Sequence, residues 1–237
     1  MKTSARVVVI GGGVVGRSVL YHLTKLGGSD VMLVERSELT SGSTWHAAGG
    51  FHTLNGDTNM AALQGYTIRL YKELESITGL SCGLHHVGGV TLADTPERLD
   101  MFKAERAKHR FMGLETEIVG PDEIAKIAPV TNTDGILGGL YDPLDGHLDP
   151  SGTTHAYAKA ARMAGAEIVL HNKVLATNAT ADGWEVETEQ GTIQTEHVVN
   201  AGGLWAREVA ALAGLYLPLH PMEHQYLVTE DTRDIRT

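Results

Sequence analysis

One short pattern near the start of the chain limits the possible folds most. The β-branched residues 7–10 lead directly into the glycine pattern GxGxxG at positions 11–16. Apolar residues at helical spacing follow over residues 14–26, and a second apolar run occupies residues 31–34. This order predicts a β-α-β unit with parallel strands and a right-handed crossover.

The spacing of the next acid predicts what such a unit binds. Glu35 comes 19 positions after Gly16, close to the roughly 20 expected in dinucleotide-binding units. In such a unit Gly11 permits a tight turn, Gly13 lets a pyrophosphate approach the backbone, and Gly16 lets the helix pack on the strand. The helix N-terminus offers N–H groups to the phosphates. Glu35 can accept the hydroxyl groups of the adenosine ribose, and its charge disfavours NADP.

A second glycine-rich segment, residues 40–50, lies within a predicted loop over residues 37–56. Its hydroxyl and small side chains predict further contacts with phosphate and ring groups, and its sequence includes Ser41, Ser43 and Thr44. His46 is the only titratable residue in it. From the residues alone, His46 is interpreted as a histidine that hydrogen-bonds within the loop.

The rest of the chain alternates helical and strand patterns before it changes to short antiparallel strands. We therefore expect an α/β fold with a parallel sheet and a three-stranded meander. The expected helices cover residues 60–78, 96–112, a segment that begins at Pro121, 151–165 (capped by Ser151) and 204–213. The expected strands cover residues 87–93, 167–171, 174–180, 184–189, 192–196, 197–200 and 225–229.

Composition excludes several classes of protein. The net charge of −10 and the pI of about 5.6 argue against nucleic acid as a partner. The sequence contains no run of 18 apolar residues, so no membrane span is expected. The single cysteine, Cys82, excludes an internal disulfide and a four-cysteine zinc site, and it suits a reducing compartment. These features predict a soluble cytoplasmic protein. His220 and His224 would face the same side of a helix and could then bind a metal ion. Prolines beside them make a regular helix unlikely, so no metal site is expected.

Four stretches resemble a known family. They are VVVIGGGVVGRSVLYHL, MLVERSELTSGSTWHAAGG, VVNAGGLWAREVAALAG and PMEHQYLVTE. The sequence resembles the FAD-dependent oxidoreductases of the D-amino-acid-oxidase superfamily, and most of all the branch of dimethylglycine and sarcosine dehydrogenases. The resemblance implies a Rossmann-like FAD-binding domain of the two-dinucleotide-binding-domain type, with a β-meander and part of an inserted α+β substrate domain. It also implies that His46 binds the 8α carbon of the flavin covalently.

The resemblance assigns roles to residues elsewhere in the chain. The turn that follows Asn200 is expected near the flavin, and Val174 matches a position that meets the adenine. His224 matches a histidine beside the substrate amine, which makes it the catalytic candidate. The full set of expected cofactor-binding residues is Gly11, Gly13, Val14, Val15, Gly16, Glu35, Arg36, Ser41, Ser43, Thr44, His46, Ala47, Gly49, Val174, Ala201, Gly202 and Trp205.

The implied organisation is two discontinuous domains. Residues 1–80 and 145–215 are expected to form the FAD-binding domain, and residues 81–144 and 216–237 part of a truncated substrate domain. The implied activity is oxidation of the C–N bond of an N-methylated glycine, with tetrahydrofolate a partner through a missing C-terminal domain. Three alternatives stay open at this point: an oxidase of the same superfamily that acts on another amine or amino acid, an inactive nucleotide-binding fragment, and an NAD dehydrogenase. The long insertion and the meander favour FAD over NAD.

Overall fold

The computed structural model describes residues 1–53, Asn55 and 57–230 of the 237-residue chain. Its helices are α1 (Val14–Lys25), α2 (Thr58–Thr78), α3 (Pro96–Phe111), α4 (Pro121–Ile127), α5 (Pro150–Met163) and α6 (Ala206–Leu212), with a 3-10 turn at Gly203–Trp205. Its strands are β1 (Ser4–Ile10), β2 (Val31–Val34), β3 (Gly50–Phe51), β4 (Gly89–Ala93), β5 (Glu117–Val119), β6 (Gly138–Asp142), β7 (Gly146–His147), β8 (Glu167–Val169), β9 (Val174–Thr180), β10 (Gly183–Thr188) and β11 (Gly191–Asn200).

The described residues divide into two compact units, and both are discontinuous in sequence. The first contains Met1–Gly49, Tyr71–Gly83 and Asp149–Met222. The second contains Gly50–Leu70, Leu84–Leu148 and the segment that starts at Glu223. The segment Gly50–Leu70, expected in the FAD-binding domain, belongs to the second unit.

A six-stranded mixed sheet forms the first unit. Its order is β8-β2-β1-β11-β10-β9, in which β8, β2, β1 and β11 are parallel and β10 and β9 complete an antiparallel meander. All four residues of β2 are buried, as expected for a parallel strand covered on both faces. Helices α1 and α5 pack against each other, with Leu20 and Tyr157 fully or almost fully buried. The sheet thus confirms the α/β fold and places the ends of β1, β2 and β11 side by side.

The second unit is built around a three-stranded antiparallel sheet. Its order is β4-β6-β5, and a separate two-stranded ladder joins β3 to β7. Ala93, Phe102 and Leu140 form the centre of its core, where helix α3 packs on the sheet. None of the helices in the described part of the chain is both long enough and apolar enough to cross a membrane.

Several local expectations from the sequence are wrong. Residues 192–200 form one continuous strand rather than two, because Thr195 pairs with β10 on one side and with β1 on the other. Helix α5 is capped by Asp149, whose carboxylate accepts the N–H of Ser151 at 2.8 Å, and not by Ser151. Pro150 then occupies the first helical position, which suits its fixed φ angle.

The strand expected at 225–229 does not form. Residues 221–230 have no regular secondary structure, and no strand of the described chain pairs with them. A strand needs a neighbour to bond its backbone N–H and C=O groups, so an apolar alternation alone does not create one. His224 lies in this irregular segment and is exposed.

Candidate functional site

The parallel strands end in a cleft of about 820 Å³ within the first unit. Ile10, Val34 and Asn200, the last residues of β1, β2 and β11, all line it. Open α/β sheets bind ligands at this edge, beyond the carboxyl ends of their strands. The predicted site residues that line the cleft are Gly11, Gly13, Val14, Val15, Glu35, Arg36, Ser41, Ser43, Thr44, Ala47, Val174, Ala201, Gly202 and Trp205.

Two glycines of the fingerprint are required by the local geometry. Gly11 has φ +118°, and a Cβ there would overlap the carbonyl oxygen of Ala201. A Cβ at Gly16 would overlap the carbonyl oxygen of Gly11. A side chain at either position would therefore push β1, α1 and the turn after β11 apart. Gly16 supports the cleft from behind rather than lining it.

Glu35, at the end of β2, organises the polar side of the cleft. Its Oε2 accepts the N–H of Gly12 at 2.6 Å, and its Oε1 accepts the N–H of Ser37 at 2.8 Å. A carboxylate has about four lone-pair positions, so both oxygens can accept further hydrogen bonds. The same side chain can thus hold the glycine loop and still receive two hydroxyl groups of a ligand.

The segment that contains residues 40–49 docks on the glycine loop. The N–H of Val14, in the first turn of α1, donates to Oγ1 of Thr44 at 3.0 Å. The N–H of Thr40 donates to the carbonyl oxygen of Gly12 at 3.4 Å. Gly13, the N-cap of α1, provides no side-chain cap. The first turn of a helix has N–H groups without intrahelical acceptors, and those of α1 other than the N–H of Val14 are available to an anion.

The turn after β11 is fixed by one side chain. Asn200 donates from Nδ2 to the carbonyl oxygen of Ala206 at 2.7 Å, and its Oδ1 accepts the N–H of Gly202 at 3.1 Å. These two bonds fold the chain back at the edge of the cleft before α6 begins. The backbone of Ala201 and Gly202 therefore faces the glycine loop.

Sequence reasoning missed the apolar wall of the cleft. Leu175, Val209, Leu212 and Leu219 also line it. Val209 and Leu212 are three residues apart in the helical pattern after Asn200, and that spacing was the available signal. Apolar walls with a few polar groups are typical of small-molecule sites, for which volumes of roughly 300–1,000 Å³ are usual.

His46 does not line the cleft, although its neighbours Thr44 and Ala47 do. The ring is exposed and lies 4.0 Å from the ring of Trp45, centroid to centroid. Its Nδ1 is 3.2 Å from the carbonyl oxygen of Gly42. Because a carbonyl only accepts, this contact places a proton on Nδ1, and in a neutral imidazole Nε2 then carries the lone pair.

Two further predicted residues also lie outside the lining. Gly49 is the last residue of the first unit before the boundary at Gly50, with φ +77°. His224 belongs to the second unit. Its assignment to catalysis stays a prediction.

A buried cation directly follows the glycine fingerprint and was not predicted. Arg17 is completely buried, and none of its three guanidinium nitrogens has a hydrogen-bond partner in the described part of the chain. The pKa of Arg17 is lowered to about 9, mainly by burial and then by the charge of Arg162, whereas the charge of Glu35 opposes the shift. A fully buried arginine without a partner destabilises the fold.

Comparison with known proteins decides the family. Residues 6–236 match the family model described as FAD dependent oxidoreductase, DAO. The chain belongs to the DAO family of FAD-dependent oxidoreductases. FAD is the cofactor of this family, and the cleft fits its adenosine diphosphate half, since it combines an anion-binding helix N-terminus, an acceptor at Glu35 and an apolar wall.

Two curated members of this family are similar along the whole chain. Rat dimethylglycine dehydrogenase is 44% identical over 236 residues, which cover 99% of this chain and 28% of the relative. Human sarcosine dehydrogenase is 40% identical over 243 residues, which cover 100% of this chain and 26% of the relative. The chain thus spans about a quarter of the length of these relatives.

Among solved structures, L-proline dehydrogenase from P. horikoshii matches with a TM-score of 0.84 and 28% identity. The match covers 91% of this chain and 57% of that one. The relatives also correct one expectation. Both curated dehydrogenases are mitochondrial proteins, so the cytoplasmic location expected from the sequence is wrong. That expectation rested on composition, and a single cysteine does not separate the cytoplasm from other compartments where thiols stay reduced.

Proposed function

We propose that this chain is the cofactor-binding part of a flavoenzyme that oxidises the C–N bond of an N-methylated glycine, dimethylglycine or sarcosine. The observation that carries the proposal is the extent of the similarity to rat dimethylglycine dehydrogenase. It runs through 236 residues and so includes both the glycine loop and the segment with His46. These are the two segments that the bonds from Val14 and Thr40 bring together.

Different residues of the cleft would bind different parts of the cofactor. The first-turn N–H groups of α1 and the backbone of Gly13 would bind the pyrophosphate, and Glu35 would accept the adenosine ribose hydroxyls. Val174 and Leu175 would contact the adenine. When bound, FAD supplies a two-electron acceptor for a hydride from the substrate methyl group.

His46 is proposed as the point of covalent attachment. Its Nδ1 donates to Gly42, which leaves the Nε2 lone pair as the nucleophile. The ring is exposed rather than packed in a core, so Nε2 is accessible to a large ligand. The tilted ring contact with Trp45, at 4.0 Å between centroids, restrains the imidazole.

His224 is proposed to act on the substrate amine. A protonated amine has no lone pair to assist loss of a hydride, and a neutral imidazole can accept that proton. Loss of the hydride from the methyl carbon leaves an iminium on the substrate. Water then releases the carbon as formaldehyde, or tetrahydrofolate accepts it.

Anaerobic mixing of the flavin-loaded, full-length protein with a panel of amines tests this proposal. We expect dimethylglycine and sarcosine to bleach the flavin absorbance faster than L-proline, D-alanine or glycine. Faster bleaching by L-proline or D-alanine would assign the protein to another oxidase of the superfamily. A protein that binds ADP but never retains flavin would instead be a nucleotide-binding module.

A further inference from the structure

The ring of Trp205 is held at the edge of the cleft by its own backbone and by one neighbouring side chain. The N–H of Trp205 donates to the carbonyl oxygen of Gly202 at 2.9 Å, within the turn that the side chain of Asn200 fixes. The guanidinium group of Arg36 covers one face of the ring. The ring therefore has a defined position although it is 38% exposed.

The edge of this ring contacts the segment that contains His46. A Cβ built on Gly42 would lie 3.4 Å from Cζ3 of Trp205, so the space beside Gly42 is sufficient for little more than a methyl group. The residues two positions away on either side, Thr40 and Thr44, are both hydrogen-bonded to the glycine loop or the first turn of α1. In the described part of the chain, no backbone hydrogen bond joins Gly42 to another segment. The position of Gly42 between its two anchored neighbours therefore depends on the Trp205 ring.

Gly42 in turn orients the imidazole of His46. The carbonyl oxygen of Gly42 accepts the proton on Nδ1 of His46, and the tilted ring of Trp45 restrains the imidazole further. If Gly42 moved, this acceptor would move with it, and the imidazole would turn. Trp205 can therefore affect the direction of the Nε2 lone pair through a single intervening residue.

Covalent attachment of a flavin depends on the direction of that lone pair. The reaction forms a bond from Nε2 to the 8α carbon and breaks one C–H bond of the flavin methyl group. The two electrons of the broken bond stay on the flavin until dioxygen accepts them. The methyl proton and the Nδ1 proton are transferred to the reduced oxygen, which leaves as hydrogen peroxide. A displacement of about 1 Å between reacting groups can slow a reaction by about 100-fold.

We propose that Trp205 is a positioning residue for attachment of the flavin at His46, the attachment point of the proposed function. Its ring holds Gly42 in place, and the Gly42 carbonyl then directs Nε2 of His46 toward the 8α carbon. The carbonyl would also stabilise the positive charge that the imidazole gains as the bond forms. Loss of the Trp205 ring should thus slow attachment even when FAD saturates the site.

The test follows attachment in the full-length protein, produced without flavin and then mixed with FAD in air. Acid precipitation at successive times gives the covalent fraction, and a saturating FAD concentration removes the effect of weaker binding. Trp205→Leu should attach flavin about 10- to 100-fold more slowly than the native protein. Trp205→Phe, which keeps an aromatic edge beside Gly42, should attach it faster than Trp205→Leu. Trp184→Leu, in β10 and outside the cleft lining, is the matched control and should show the native rate.

Two negative results have different meanings. Equal rates for Trp205→Leu and the native protein would show that Trp205 has no positioning role, while the attachment at His46 stands. A native protein that attaches no flavin, or attaches it to another peptide, would refute the attachment at His46 and the role of Trp205 together.

A second variant tests the contact from the other side if circular dichroism shows that Trp205→Leu does not fold. Gly42 is not among the residues with a positive φ angle, so its backbone accepts a side chain. Gly42→Val would place methyl groups where the Trp205 ring edge lies, and it should slow attachment as well. An unchanged rate in Gly42→Val would then overturn the proposal.

Discussion

The guanidinium carbon of Arg36 lies 3.7 Å from the centre of the Trp205 ring. The contact joins the residue after Glu35 to the turn after β11, and both side chains line the cleft. The Arg36–Trp205 contact closes the cleft on the side of Glu35. In the proposed function, this is the side that binds the adenosine ribose.

This stacked pair gives the first prediction. Trp205→Leu should weaken ADP binding by about 2- to 30-fold, because a cation–π contact contributes roughly 0.5–2 kcal/mol. Isothermal titration with ADP measures the effect, and Trp184→Leu, in the meander, is the control. Equal affinity of Trp205→Leu and the native chain would show that the stacked pair does not shape the nucleotide site.

Replacement of the acid at the end of β2 gives a second prediction. Glu35→Gln should weaken FAD and ADP binding, since a hydrogen bond to a charged acceptor contributes roughly 1.5–3 kcal/mol. The variant should also loosen the glycine loop, because the backbone N–H groups of Gly12 and Ser37 both lose a charged acceptor. Glu38→Gln, three residues later and exposed, should leave the affinity unchanged. A titration in which both variants bind alike would refute the ribose assignment.

Covalent attachment gives a third prediction. In the flavin-loaded, full-length protein the flavin should remain with the protein after acid precipitation, and His46→Ala should release it. Mass spectrometry of a digest should find the flavin on the peptide that contains His46. His197→Ala, which removes another exposed histidine of the first unit, should keep the flavin bound. A flavin attached to a different peptide would contradict the assignment.

The proposed base gives a fourth prediction. General-base assistance contributes roughly 10²–10⁴-fold, so His224→Ala should slow flavin reduction by about that factor. The loss should shrink as the pH rises and the free amine becomes abundant. His220→Ala, four residues earlier, controls for disturbance of the irregular segment. Stopped-flow rates against pH measure both effects, and a variant as fast as the native enzyme would leave His224 without a catalytic role.

The buried arginine gives a fifth prediction. Arg17→Met should raise the free energy of unfolding at pH 7 by about 1–3 kcal/mol, since it removes buried polar groups that have no partner. Because burial lowers the pKa of Arg17 in the folded state, the unfolded chain binds its proton more tightly. The native chain should therefore gain stability relative to Arg17→Met as the pH rises above about 9. Urea unfolding at pH 7 and pH 10 checks both statements, and a less stable variant would show that Arg17 has a favourable role.

The parts of the fold that were predictable depend on local pattern. The β1-α1-β2 unit was predicted because its apolar spacing and glycines are contiguous in sequence. Strand β6 was missed because Gly138 and Gly139 look like a turn, yet a Cβ at Gly139 would lie 2.7 Å from Cγ2 of Val90 on the neighbouring strand. That constraint comes from β4, almost 50 residues earlier, and no local pattern contains it.

In the candidate site, too, only the residues set by a local sequence pattern were predictable. Its backbone-binding residues were predicted from the glycine spacing and the resemblance. The apolar wall depends on α6 packing over β9, and the partnerless guanidinium of Arg17 depends on how α1 packs, so both needed the three-dimensional structure. The buried hydrogen bond from Thr53 to Asp142 was missed for the same reason, because the two residues are 89 positions apart in sequence.

The pairing of β1 with β11 has a consequence for synthesis on the ribosome. Ser4–Ile10 is translated well before its partner Gly191–Asn200, which emerges almost 190 residues later. Until then β1 can pair only with β2, and its other edge is an open, apolar template for another chain. Contacts this distant in sequence form slowly. We therefore expect nascent chains that stop before β11 to depend on chaperones and to aggregate when chaperones are limiting.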